Sequence, residues 1–147
     1  MKNIIITTDP YLIMYLFLMP LSLIILVFFI FYNRKYMIKN QDSFIVTIFG
    51  ENGLDKIKGM NSELILLGNI LKICINIDFL IGFFSKKTLF PNRNDKSKPL
   101  KILPNTYKEN VNFFKVKHCK WIIFNNIIDF TILVVFISFI IYSSCFI

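Results

Sequence analysis

The sequence has no alanine, two arginines (Arg34 and Arg93), one histidine (His118) and three widely spaced cysteines (Cys74, Cys119 and Cys145). One histidine, no C-x-x-C pair and no H-E-x-x-H leave no ligand set for a structural zinc ion. Three scattered cysteines do not make a disulfide scaffold either. The five glycines never fall as G-x-G-x-x-G or as a P-loop, and there is no G-x-S-x-G. His118 and Cys119 are adjacent, so on a helix they point in different directions and form no nucleophile–base pair. None of the fourteen asparagines lies in an N-x-[ST] sequon. Together these absences predict a protein that is not an enzyme and carries no metal or cofactor.

Charge is also scarce: 17 basic and 9 acidic side chains in 147 residues, against 55% hydrophobic and 16% aromatic residues. The apolar residues collect in blocks at the two ends, which excludes a disordered chain and an ordinary cytosolic enzyme. A small integral membrane protein remains. The missing alanine and rare arginine, beside abundant Phe, Ile, Asn and Lys, follow AT-rich codon usage. The Lys:Arg ratio therefore carries no functional weight, whereas the position of each charge does.

From Tyr11 to Tyr32 there are 22 residues without a charged side chain. As a helix they cover about 33 Å, enough for a hydrocarbon core of about 30 Å. Asp9 and Pro10 suit a helix start, and Pro20 is tolerable in a membrane helix. Tyr11 and Tyr15 at one end, and Tyr32 and Tyr36 at the other, suit aromatic belts. Asn33-Arg34-Lys35 follows in place of a small-residue cleavage site, which predicts an uncleaved anchor rather than a signal peptide. The second apolar block, Trp121 to Ile147, contains one charged group, Asp129, and is predicted to end at or just beyond the far interface.

Residues 33–120 hold sixteen of the seventeen basic side chains and seven acids, a net charge of +9. By the positive-inside rule this middle is cytoplasmic or its organellar equivalent, with both termini on the non-cytoplasmic side. Domains follow as a short N-terminus (1–10), a first span (11–32), a basic cytoplasmic region (33–120) and a second span (121–147).

Within the middle, Glu63 to Phe84 is apolar enough to raise a third span. Lys72 and Asp78 near its centre would each cost about 2.5–3.5 kcal/mol on insertion, and three spans would divide the basic residues between two compartments. As a helix, Asn69, Lys72 and Asn76 make one polar stripe, which suits an amphipathic segment lying on the membrane surface or packed on the bundle. Alternation over Lys72–Phe79 also allows a strand; the helix and the two-span layout are favoured. Ser43 to Phe49 reads as a strand or a helix tail, Lys86 to Lys108 as an irregular connector with Pro91, Pro99 and Pro104, and Tyr107 to Lys120 as a helix leading into the second span.

The polar positions of the second span, Asp129, Asn125 and Asn126, form the candidate intramembrane site. On an unbroken helix, His118, Asn125 and Asp129 fall within about 20° of one face. Asp129 sits a turn or two below the interface, where Arg34 or Lys35 at the end of the first span is the expected partner. A proton relay is the competing reading, but His118 and Asp129 are about 16 Å apart along the helix. His118 itself reads as an interfacial histidine among lysines. Lys86, Lys87, Arg93, Lys96, Lys98 and Lys101 in the connector are candidates for anionic lipid, at about 1 kcal/mol per basic group. Nucleic acid is not expected, because no recognition motif accompanies the charge.

The layout of terminal spans around a basic middle is similar to that of bacterial small membrane proteins of the universal stress protein B kind. No motif is shared and this middle is longer, so the resemblance assigns no residue a role. The predicted fold is mainly α, with two antiparallel transmembrane helices flanking a mostly helical basic region. The expected function is a non-catalytic subunit or interaction partner in a membrane assembly, in contact with lipids and other membrane proteins. Transport accessory work through Asp129, or an organelle-encoded subunit of a respiratory or secretion complex, are the alternatives. The expected location is a bacterial inner or organellar membrane, multi-pass.

Overall fold

The computed structural model describes residues 10–54, 60–94 and 98–146, with the side chains of residues 10–12, 14, 15, 145 and 146 left out. Asp9 as a helix cap, the tyrosine belt of Tyr11 and Tyr15, Lys96 and the Cys145 thiol lie outside what is described. The protein is mainly helical, and there is no strand among the described residues. In chain order come α1 (Pro10–Lys39), α2 (Gln41–Phe49), a 3₁₀ turn (Glu51–Gly53), α3 (Asn61–Ser85), α4 (Lys108–Lys117) and α5 (Cys119–Phe146). Three of these, over Leu16–Lys39, Asn61–Ser85 and Cys119–Ser144, are long and apolar enough to cross a membrane, where two were expected. Length and apolarity alone do not separate a span from a helix buried in protein, because both conditions select the same side chains.

The chain divides into two compact bodies: residues 1–31 with 124–147, and residues 32–123. The first body holds most of α1 and α5, and its apolar side chains point outward. Phe17, Phe28, Phe31 and Phe130 are each exposed by 62–74%, as for helices apolar all round in lipid rather than in water. The hydroxyls here need no water. Ser22 donates to the Met19 carbonyl at 2.7 Å, Thr131 to Ile127 at 2.8 Å and Ser138 to Val135 at 2.9 Å. Such bonds to the same helix allow Ser and Thr to sit in a hydrocarbon environment.

The second body has a packed apolar interior. Met37, Phe44, Ile48, Leu71, Leu103, Val111 and Phe114 are fully buried. Each large side chain so removed from water contributes about 1.5–3 kcal/mol. At Asn40 the backbone turns (φ −110°, ψ 22°) and α2 begins; the Asn40 amide donates to the Tyr36 carbonyl at 2.9 Å, closing the end of α1. The segment Ser43 to Phe49 is therefore helix, not strand. α3 crosses at Gly68, where a β-carbon would meet Met37 Sδ at 2.8 Å and the Phe44 ring at 3.3 Å; a larger side chain would hold the two helices apart. The 72–79 segment is likewise helical, which removes the strand alternative.

Its polar stripe is largely covered. Lys72 is buried, and Asn69 and Asn76 are half-buried. The outermost face instead carries Leu66, Ile73, Ile77, Leu80 and Phe84, exposed by 42–81%. One side of α3 is apolar because it packs on the core, through Leu64, Leu71 and Ile75. The opposite side is apolar too.

The connector after α3 is irregular, as the prolines predict, yet it is pinned at several points. The Asn105 backbone N–H donates to the Ile48 carbonyl and its side-chain amide to Val46, both at 2.8 Å, so Asn105 closes the end of α2. Phe90 and Leu103 enter the core.

Candidate functional site

The region that joins the most chemistry is the part of the second body nearest its two chain exits. Here the last turns of α1 meet the start of α2 and the α4–α5 junction. α4 ends at Lys117, and His118 adopts φ −110°, ψ 21° before α5 starts at Cys119. The unbroken helix through 118 assumed above is therefore interrupted.

The kink places His118 inside, 2% exposed, not at an interface among lysines. Its Nδ1 lies 2.8 Å from the Tyr36 hydroxyl and its Nε2 lies 2.8 Å from the Ser43 hydroxyl. A neutral imidazole donates through one nitrogen and accepts through the other, and two hydroxyls satisfy either arrangement. The Phe114 ring lies 4.4 Å away and the Phe44 ring 5.6 Å away, centre to centre. Burial among these rings, and secondarily the charge of Lys117, lowers the His118 pKa from 6.5 to about 4.

Next to the histidine, Trp121 is 1% exposed and its indole N–H donates to Asn33 Oδ1 at 2.9 Å. Tyr36 stacks on the indole at 5.3 Å with the planes 5° apart, and Phe44 meets it edge-on at 5.5 Å. Such aromatic pairs add about 0.5–1.5 kcal/mol beyond burial. The Asn33–Trp121 bond has a topological consequence. The body begins at Tyr32 and ends at Ile123, so its entry and exit are hydrogen-bonded side by side.

Ser43 Oγ and His118 Nε2 are at nucleophile–base distance, but the arrangement is poorly suited to catalysis. The imidazole is enclosed, its basicity is far below neutral pH, and the group on its other nitrogen is a neutral phenol rather than a carboxylate. Its chemical capacity is to hold three segments in register.

A second polar centre lies on α3. Asp78 accepts hydrogen bonds from Lys115 Nζ at 2.8 Å, Thr88 Oγ1 at 2.7 Å and the Leu89 backbone N–H at 2.8 Å. One carboxylate thus joins α3, the connector and α4. Lys115 also lies over the Phe90 ring, 5.8 Å from its centre.

The residues singled out from the sequence are placed as follows. Asn125 is fully buried, whereas Asn126 and Asp129 are exposed. Asp129 belongs to the first body, and Arg34 and Lys35, both exposed, to the second. Lys86, Lys87, Arg93, Lys98 and Lys101 are all exposed, and Arg93 lies over the Tyr107 ring at 5.6 Å. Tyr36, Ser43 and Asp78 were not anticipated as cluster members. A usable signal was the spacing of Phe114, His118, Trp121 and Asn125, a 4-3-4 stripe of the kind that faces a core.

Among the described residues no group of three or more histidine, cysteine or acidic side chains could hold a metal ion. Comparison with known proteins finds no matching family, no matching curated protein and no matching solved structure.

Proposed function

We propose that this is a non-catalytic integral membrane protein with two antiparallel spans, residues 11–32 and 121–147. Its basic middle, residues 33–120, folds at the cytoplasmic face into a helical module that packs against partners in a membrane assembly. The observation that carries this reading is the Asn33–Trp121 hydrogen bond beside the Tyr36–His118 pair. It brings the module's entry and exit together, as a hairpin of two spans leaving one face requires.

α3 supports two spans rather than three. Leu64 and Gly68 are buried, Gly68 against Met37 and Phe44, and Asp78 is bound by Lys115 of α4. Those attachment points cover about 21 Å of helix, most of a hydrocarbon core. A spanning α3 would draw α4 into lipid with it. That helix, KENVNFFKVK, carries Lys108, Glu109, Lys115 and Lys117, each very costly at depth.

Reporter fusions at both termini, at the Glu51–Gly53 turn and within residues 86–94 test the topology. Both termini should report the non-cytoplasmic side and both internal positions the cytoplasmic side. Opposite signals from the two internal fusions would establish a third span and end this reading.

A further inference from the structure

We infer that α3 lies in the plane of the cytoplasmic leaflet, its outer face in the acyl chains and the lysines at its C-terminal end on anionic headgroups. The inference rests on the two-span reading and adds the partner of this helix, an anionic phospholipid surface. Leu66, Ile73, Ile77, Leu80 and Phe84 recur at intervals of seven, four, three and four residues. That spacing makes one stripe, opposite the face that packs on the core.

These five side chains are 62%, 53%, 42%, 54% and 81% exposed. A contiguous apolar stripe of this length does not stay in water. Charge identifies the occupant. Directly after the helix come Lys86 and Lys87, then Arg93, Lys98 and Lys101, all exposed. A second copy of the chain would bring two modules of net charge +9 together, whereas an anionic leaflet neutralises them. The module is also joined through Tyr32 and Ile123 to the apolar helices of the first body. A bilayer surface is thus always at high effective concentration, which lowers the entropic cost of docking.

The test uses the full chain reconstituted in vesicles of phosphatidylcholine with phosphatidylglycerol, and quenching by lipids brominated at defined acyl depths. Leu66→Trp, Ile73→Trp, Leu80→Trp and Phe84→Trp are compared singly, with buried Trp121 as a constant background. All four should be quenched at one shallow depth. Brominated phosphatidylglycerol should quench Phe84→Trp more strongly than brominated phosphatidylcholine at equal mole fraction. That preference reflects local enrichment of up to about fivefold per lysine, and K86Q/K87Q should abolish it.

Depths running from one leaflet through the centre to the other would mean a third span, and would overturn the topology together with the inference. Absence of quenching at all four positions, with the reporter fusions unchanged, would mean that protein covers the face; the inference would then fail while the two-span reading stands. Shallow quenching without preference for the anionic lipid would remove the headgroup assignment.

Discussion

His118 should make the body of residues 32–123 sensitive to mild acid. Its folded-state pKa is about 4 against an ordinary 6.5, so the unfolded chain binds the proton more readily than the folded one. Stability from this group is therefore complete above about pH 6.5 and lost progressively as pH falls towards 4. Between pH 7.5 and 5 the loss is about 2 kcal/mol. In this window most carboxylates remain ionised, so they contribute little to the slope. For a module of about 90 residues, that corresponds to a fall in Tm of about 10 °C. Trp121 is the single tryptophan, stacked on Tyr36 and bonded to Asn33, so its emission should shift to the red when the cluster opens. The measurement is thermal unfolding of the detergent-solubilised full chain followed by that shift. His118→Gln, which cannot titrate, should lose most of the slope between pH 7.5 and 5. His118→Leu should be less stable than the native chain at pH 7.5, because the half-buried Tyr36 and Ser43 hydroxyls lose their partner, and the difference should shrink as the pH falls. Equal slopes for the native chain and His118→Gln would refute the argument.

Gly68→Leu should cost about 1–3 kcal/mol by separating α3 from Met37 and Phe44; an unchanged Trp121 unfolding midpoint would show that α3 does not cross there. Asp78→Ala should destabilise by about 2–4 kcal/mol, since three donors lose their acceptor. Lys115→Met should cost under about 1 kcal/mol, because the pair is partly open to water and Asp78 keeps its bonds from Thr88 and the Leu89 backbone; a larger loss for Lys115→Met than for Asp78→Ala would reverse that account. Asp129→Asn should leave ion and proton flux into vesicles at the protein-free level, as in the unmodified protein. A native flux abolished by Asp129→Asn would favour the transport alternative.

The sequence makes some of this architecture legible and hides the rest, for definable reasons. The apolar terminal helices follow from long runs with no charge in Tyr11–Tyr32 and one, Asp129, in Trp121–Ile147. Pro91, Pro99 and Pro104 likewise mark the connector, since each removes a backbone donor. His118 escapes because its sequence neighbours, Lys117, Cys119 and Lys120, describe the exposed sides of the helix and not the side it presents. Its partners Tyr36 and Ser43 are 82 and 75 residues away in sequence. Neither distance carries any local signal. Asp78 is hidden in the same way: its binding groups lie on Thr88, Leu89 and Lys115, and Lys115 is read from sequence as one more member of the basic excess.

α3 shows where hydropathy stops being informative. The helix has to satisfy a protein core on one side and, on our reading, acyl chains on the other, and both demand Leu, Ile and Phe. The resulting composition matches that of a span, although Gly68 and Asp78 impose requirements that lipid cannot meet. Gly68 is small because another helix crosses it, with Met37 Sδ 2.8 Å from the place a β-carbon would take. Asp78 is charged because a lysine, a threonine and a backbone N–H converge on it. An isolated carboxylate at mid-depth would have to find such donors in hydrocarbon or neutralise. Here its donors come from the polar helix α4 and the connector. On our reading, a long apolar helix that carries a charge is assigned by where the partners of that charge reside. For Asp78 they reside in a module whose entry and exit are fastened together by Asn33 and Trp121.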